Sequence, residues 1–201
     1  MKRAKTTLAL TVVLALSACA CACALAGTGG LTRFVVGRGE ETGFTPEAPK
    51  TVLSVKAWVH EEPAKQAAQD AARLKAEGFV EAVIEHTDET HGHGAGVSTV
   101  IELKSSAAAG AEVAGEVSAG IAAQGKGALV HRFAVAGVPG AVGYTAKGPH
   151  EAAGAANVSW REGRCTLLVG DFLPKASAAR LSGPIAAAAR AVYRRTGGSC
   201  P

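Results

Sequence analysis

The sequence predicts an α+β domain, built on a mainly antiparallel sheet with about three helices packed on one face. Several short runs alternate apolar with polar residues, which is typical of strands with one buried face. Short turns separate neighbouring runs, for example at Glu162-Gly163, and short turns favour antiparallel pairing. Longer stretches carry apolar residues at helical spacing. Such helices would cover the apolar face of the sheet.

Periodicity and residues that start or stop an element locate the individual strands and helices. The strand-like runs are 52–58, 79–85, 97–103, 128–135, 142–146, 156–160 and 165–169. The predicted helices are Glu61–Glu77, one that Ser105 or Ser106 caps, and a last one that carries Leu181, Ile185 and Val192. Pro63 suits the first turn of the first helix, and Gly78 suits its end. The sequence therefore predicts strands that outnumber helices.

Composition and charge limit the classes of function. The chain has 201 residues, 48% apolar but only 4% aromatic, and a net charge of +4. Three basic residues lie within the first five positions, so the remainder has 18 basic and 17 acidic residues, and nucleic acid is not the predicted partner. The exception is the end of the chain, where no acidic residue follows Asp171. We interpret its lysine and arginines as matching the dipole of the last helix, in preference to a phosphate or lipid headgroup site.

The first residues have the pattern of an export signal. Met1 to Lys5 is basic, and Thr6 to Ala26 carries no charge. Within this run, Leu16-Ser17-Ala18-Cys19 resembles the lipobox of bacterial lipoproteins. The resemblance implies that residues 1–18 are removed as a signal peptide and that Cys19 carries the lipid. The expected location is the outer face of the cell membrane.

Two alternatives for the leader stay open. Ala24-Leu25-Ala26 has the small-residue pattern of an ordinary signal peptidase site, so cleavage there would release a secreted protein. Without any cleavage, Thr6 to Ala26 is long enough to span the bilayer as a single anchor.

Composition also divides the rest of the chain. Residues 19–50 are rich in glycine and are predicted to form a lipid-anchored flexible tether, and residues 51–201 a single extracytoplasmic domain. Leu31 to Val36 could form a strand, in which case the domain begins earlier.

Two cysteines lie outside the leader. Cys165 begins a predicted strand, and Cys200 is next to the end of the chain. In an oxidising compartment such a pair usually forms a disulfide. The alternative, a catalytic thiol at Cys165, lacks a histidine base within ten residues. A structural disulfide is therefore the preferred interpretation.

The segment from Glu85 to His93 is the most suggestive of chemistry. His86, His91 and His93 lie among three carboxylates, and imidazole nitrogens are common ligands of zinc and copper. The competing interpretation is a solvated, glycine-containing turn between two strands.

Other stretches resemble exported lipoproteins of unknown function from actinobacteria. They are Val138-Pro139-Gly140-Ala141, Asn157-Val158-Ser159-Trp160, Thr166-Leu167-Leu168-Val169-Gly170 and the closing helix into Cys200. The resemblance implies a compartment and a type of fold rather than an activity.

No motif requires an enzymatic function. The glycine-rich segment 120–127 nearly matches a phosphate loop, but Gly127 replaces the residue that holds Mg²⁺. The first hypothesis is a noncatalytic binding or sensory module on a membrane anchor, with an unknown ligand or protein partner and no cofactor. The alternatives are a metal-binding protein, or a small secreted hydrolase whose residues converge only in space.

Overall fold

One antiparallel sheet contains all eight strands of the described residues. The computed structural model describes residues 30–59, 64–90, 94–147, 154–173 and 178–200. The strands are β1 (Phe44–Pro46), β2 (Lys50–Val52), β3 (Phe79–Glu89), β4 (Ala95–Leu103), β5 (Leu129–Ala134), β6 (Val142–Lys147), β7 (Gly154–Glu162) and β8 (Cys165–Leu173). Their order is β1-β3-β4-β8-β7-β6-β5, and β2 also pairs with β3. The α+β class and the mainly antiparallel sheet are confirmed.

Three long helices and two short helical segments accompany the sheet within the described ranges. They are a 3-10 turn (Leu31–Phe34), α1 (Val55–Trp58), α2 (Ala64–Glu77), α3 (Ser106–Ala123) and α4 (Ala178–Thr196). None of these described helices combines the length and the apolar character that crossing a bilayer requires. The expected number of about three substantial helices agrees with α2, α3 and α4.

The helices lie on both faces of the sheet, so the expectation that they pack on one face is wrong. α4 and the 3-10 turn share one apolar cluster with β7 and β8. α1 and α2 belong to a second cluster on the other face, where α3 also packs. The physical reason is that successive residues of the central strands β7 and β8 are buried, so both faces of the sheet need a cover. In a sheet with one solvated face, every second residue would be exposed.

Strand β7 illustrates this two-sided burial. Ala156, Val158 and Trp160 point into the cluster under α4. The residues between them, Asn157 and Ser159, line a cavity under α3. Alternating residues on a strand face opposite sides. Asn157 and Ser159 therefore lie beneath a helix rather than on a solvated face.

Serine caps define the beginning of two helices. Ser105 accepts a hydrogen bond from the backbone N–H of Ala108 at 3.1 Å and so begins α3, as the sequence predicts. Ser54 accepts one from Ala57 at 3.2 Å and begins α1. The strand expected over 52–58 is therefore wrong beyond Val52, because this cap turns the chain into a helix.

The end of α3 explains the near match to a phosphate loop. The helix ends at Ala123, and Gly125 and Gly127 follow with φ of 86° and 87°. Glycine adopts these left-handed angles without steric cost. The segment is thus a helix end and a turn.

The folded unit begins at Leu31, which corrects the tether expected over 19–50. Leu31, Phe34, Val35 and Val36 are each at most 3% exposed and belong to the cluster under α4. Residues 44–46 and 50–52 add strands to the sheet edge. Glycines break the periodicity of this stretch, but its four apolar residues bury enough surface to hold it. The part of the expected tether before residue 30 lies outside the described residues.

The disulfide between Cys165 and Cys200 is present. The two Cα atoms lie 5.9 Å apart, and both side chains are buried in the cluster under α4. The bridge joins the start of β8 to the chain just beyond α4. It therefore ties the last helix to the centre of the sheet.

Candidate functional site

A polar cavity of about 180 Å³ lies between α3 and the sheet. Its wall is formed by α2, α3, the turn after α3, and strands β6, β7 and β8. The lining residues are Asp70, Glu116, Ala119, Gly120, Ala123, Gln124, Tyr144, Asn157, Ser159 and Leu168. Pockets for drug-sized ligands usually measure about 300–1,000 Å³. This cavity therefore suits a small ligand.

The floor of the cavity is built by residues opposite each other on two strands. Tyr144 on β6 is the register partner of Asn157 on β7. The side-chain amide of Asn157 donates a hydrogen bond of 2.8 Å to the Tyr144 hydroxyl. Burial raises the pKa of Tyr144 to about 12, and the charge of Glu116 adds to this effect. The phenol is therefore protonated at neutral pH, and its hydroxyl can donate a hydrogen bond to a ligand.

Gly120 allows α3 to lie close over this floor. A Cβ atom at this position would overlap the hydroxyl of Tyr144. Glycine in a helix interior costs stability relative to alanine, roughly 0.5–1 kcal/mol. The close approach of helix and phenol accounts for a glycine at this position.

Ser159 contributes a buried hydroxyl that has no hydrogen-bond partner among the described residues. The side chain is 1% exposed and lines the cavity next to Asn157. An unsatisfied buried polar group costs about 1–3 kcal/mol. A ligand in the cavity could satisfy this hydroxyl.

A network of charged residues adjoins the cavity. Arg73 forms ion pairs with Asp70 at 3.1 Å, with Glu112 at 2.7 Å and with Glu116 at 2.7 Å. Burial alone would lower the pKa of Arg73, but these carboxylates raise it instead. The guanidinium is thus firmly charged.

Burial works against the negative charge of two carboxylates in this network. Burial, reinforced by the neighbouring Glu116, raises the pKa of Glu112 to about 10. Burial also raises the pKa of Glu116, although Arg73 opposes the effect. Burial therefore lowers the net negative charge that the network would otherwise carry.

A second polar group, the buried acid cluster of Glu41, Glu85, Thr87 and Asp171, lies on the face of the sheet that carries α4. Glu41, Thr87 and Asp171 are 4%, 1% and 4% exposed. Burial raises the pKa of Glu41 to about 9, and its hydrogen bond with Asp171 raises it further. Burial likewise raises the pKa of Asp171. Burial therefore favours the protonated forms of both carboxyl groups.

The metal site expected at His86, His91 and His93 stays a prediction. His86 lies on β3 with an exposed side chain, whereas His91 and His93 fall outside the described residues. Over the ranges that the structure describes, no group of three His, Cys, Asp or Glu residues has an arrangement that could hold a metal ion. The lipid site expected at Cys19 also falls outside the described residues.

The sequence did not identify the residues of the cavity. A signal was present, because Asn157 and Ser159 alternate with Ala156, Val158 and Trp160. Polar residues on a strand usually indicate a solvated face. On a strand that is central in its sheet, the same pattern indicates a polar site beneath a helix.

Comparison with known proteins supports the fold. No protein-family model and no curated protein matches the chain. Among solved structures, the crystal structure of the extracellular domain of PknH from Mycobacterium tuberculosis is similar, with a TM-score of 0.52 and 10% sequence identity. The similarity covers 82% of this chain and 95% of that chain. At this level of identity, the two chains share a fold.

Proposed function

We propose that this protein is a membrane-anchored extracytoplasmic lipoprotein whose domain is a noncatalytic binding or sensory module. The observation that carries the binding function is the polar cavity whose floor holds the hydroxyl of Ser159, which has no hydrogen-bond partner among the described residues. The disulfide between Cys165 and Cys200 supports an oxidising compartment. The similar fold of an extracellular domain supports the same location.

The chemistry of the cavity favours a small, neutral, polyhydroxylated ligand of about monosaccharide size. The hydroxyls of Ser159 and Tyr144 can donate hydrogen bonds, and the amides of Gln124 and Asn157 carry both donors and acceptors. Ligand hydroxyls also donate and accept, so they match this mixed lining. Arg73 beside the cavity opposes a cation, and Asp70 opposes an anion.

Saturation-transfer NMR with a panel of neutral monosaccharides and inositols tests this proposal. Tetramethylammonium and sulfate serve as charged comparisons, and Ser118→Ala, which removes an exposed hydroxyl from α3, is the matched control. We expect at least one neutral compound to bind the wild type and the control, and Ser159→Ala to weaken its binding at least tenfold. Equal binding by Ser159→Ala, or binding of the charged compounds alone, would contradict the assignment.

A further inference from the structure

Four arginines form a basic patch at the end of the domain where the folded chain begins. Arg33 and Arg38 belong to the first described segment, and Arg194 and Arg195 to the last turn of α4. We call this set the arginine patch. Arg195 links its two halves, because its guanidinium donates hydrogen bonds to the carbonyl oxygens of Arg33 and Val35, the latter at 2.7 Å.

The patch carries an excess of positive charge. Glu40 is its one partly exposed carboxylate among the described residues, and it is already paired with Arg195 at 2.6 Å. Glu162, which lies near Arg33, is 2% exposed, and burial raises its pKa. Arg38 and Arg194 are exposed and form no hydrogen bond or ion pair with the described part of the chain, and the charge of Arg194 acts on Glu40, whose pKa it lowers. At least two guanidinium groups are thus available to an external anion.

The dipole of α4 does not account for the whole patch. A helix C-terminus favours cations within its last turn, which explains Arg194 and Arg195. Arg33 and Arg38 belong to a different segment, more than 150 residues earlier in the chain. The fold nevertheless places this first segment beside the last turn of α4. This indicates that the four arginines do more than compensate the helix dipole.

We infer that the arginine patch docks the domain onto the anionic headgroups of the membrane that carries its lipid. The inference rests on the anchoring proposed above. Eleven residues, 20–30, lie between Cys19 and Leu31. Even fully extended, a chain of that length reaches no more than about 40 Å. The patch is therefore held close to the headgroups, where arginines near an anionic surface are attracted to it.

Docking through the patch leaves the candidate site accessible. The patch lies with α4 and the 3-10 turn, whereas the cavity lies under α3 on the opposite face of the sheet. A ligand could therefore enter while the domain rests on the bilayer.

Hydrogen exchange of the full chain reconstituted in vesicles tests the inference. One set of vesicles contains phosphatidylcholine alone, and the other contains about one-third phosphatidylglycerol. We expect the amides of residues 31–40 and 190–198 to exchange at least threefold more slowly in the anionic vesicles. Arg38→Gln/Arg194→Gln and 0.5 M salt should each abolish the difference, because exposed charge interactions are screened by salt.

The controls separate docking from anchoring and from binding of a free anion. Arg132→Gln/Lys147→Gln removes two exposed cations at the β5–β6 edge and should keep the protection. Equal amide exchange in the two kinds of vesicle would overturn docking. Docking would also be overturned if Arg132→Gln/Lys147→Gln lost the protection as fully as Arg38→Gln/Arg194→Gln. The same protection from 10 mM inorganic phosphate without vesicles would assign the patch to a soluble anion and overturn docking as well. Loss of the chain from neutral vesicles on flotation would instead contradict the anchor.

Discussion

The hydroxyl of Ser159 is better suited to binding a ligand than to stabilising the fold. Its neighbour Tyr144 has a partner in Asn157, but Ser159 has none within the described structure. A hydrogen bond contributes stability only when both groups are satisfied. The two hydroxyls of the cavity floor should therefore differ in what their removal does.

The free energies of unfolding of two variants, each lacking one of these hydroxyls, measure this difference. Ser159→Ala should leave the free energy of unfolding within about 0.5 kcal/mol of the wild type or raise it, because an unsatisfied buried group is lost. Tyr144→Phe should lower it by about 1 kcal/mol, because the amide of Asn157 loses its acceptor. Urea unfolding of both variants provides the values. A larger loss in Ser159→Ala than in Tyr144→Phe would show that Ser159 is a structural residue.

The raised pKa values of Glu41 and Asp171 predict greater stability in acid. The pKa of Glu41 is raised from about 4.5 to about 9 on folding, so its contribution is complete below about 4.5 and is lost as the pH rises through 9. Glu112 acts in the same direction, whereas Arg195 and Gly37 lower the pKa of Glu40, which acts in the opposite one. We expect a higher free energy of unfolding at pH 5 than at pH 9.

Glu41→Gln is the variant that isolates this effect. A glutamine keeps the size of the side chain and cannot titrate, so the difference between pH 5 and pH 9 should shrink. Glu47→Gln, which changes an exposed glutamate, is the control and should keep the difference. An undiminished pH dependence in Glu41→Gln would show that the pKa of Glu41 is not raised on folding.

At the scale of elements, α3 combines ordinary helix signals with one unusual requirement. Its cap at Ser105 and its apolar stripe are local features, so the sequence was sufficient to predict them. Gly110 and Gly120 look alike in sequence, but their surroundings differ. A Cβ at Gly110 would lie 3.7 Å from Arg161, whereas a Cβ at Gly120 would overlap Tyr144.

Alanine at these two positions should have opposite effects. Gly110→Ala should raise the free energy of unfolding by about 0.5–1 kcal/mol, because alanine restricts the unfolded chain and fits the site. Gly120→Ala should lower it by about 1–3 kcal/mol, because Tyr144 must move. Thermal unfolding of the pair is sufficient. Equal stabilisation in both variants would mean that helix and phenol do not make this close contact.

The disulfide between β8 and the end of α4 allows a prediction for the last helix. The bridge closes a segment with a sequence separation of 35 residues, which corresponds to about 3–4 kcal/mol. Reducing agent should therefore lower the urea midpoint of the wild type. The doubly substituted Cys165→Ala/Cys200→Ala should start lower and should not respond to reductant. A wild-type urea midpoint that reducing agent leaves unchanged would contradict the disulfide.

Local signals predicted most elements, and long-range contacts determined the rest. The pattern of 79–103 was sufficient for β3 and β4, and the two lone cysteines were sufficient for their bridge. The cavity needs Asp70, Tyr144 and Ser159 from distant segments, so no single stretch of sequence indicates it. The placement of helices on both faces depends on which strands are central in the sheet. The periodicity of a sequence does not reveal the order of strands in a sheet.

At the scale of the whole molecule, the anchor is the main proposal that the described residues leave untested. The resemblance of residues 16–19 to a lipobox predicts that Cys19 is acylated. In a bacterial host fed labelled palmitate, the wild type should take up label and Cys19→Ser should not. Cys21→Ser is the matched control and should be labelled like the wild type. Label that persists in Cys19→Ser would contradict acylation at this residue.

The clasp between Arg195 and the first folded segment has a consequence for the order of folding. Arg195 binds Glu40 and the carbonyl of Val35, at sequence separations of 155 and 160 residues. Synthesis proceeds from the N-terminus, so residues 31–40 are complete long before α4 exists. Contacts between such distant residues form slowly, because a long loop must close first. The apolar Leu31, Phe34 and Val36 also pack against β3 and β4, but their burial is complete only when the last helix is present. A nascent chain released before Arg195 would therefore leave part of this apolar segment exposed and prone to self-association.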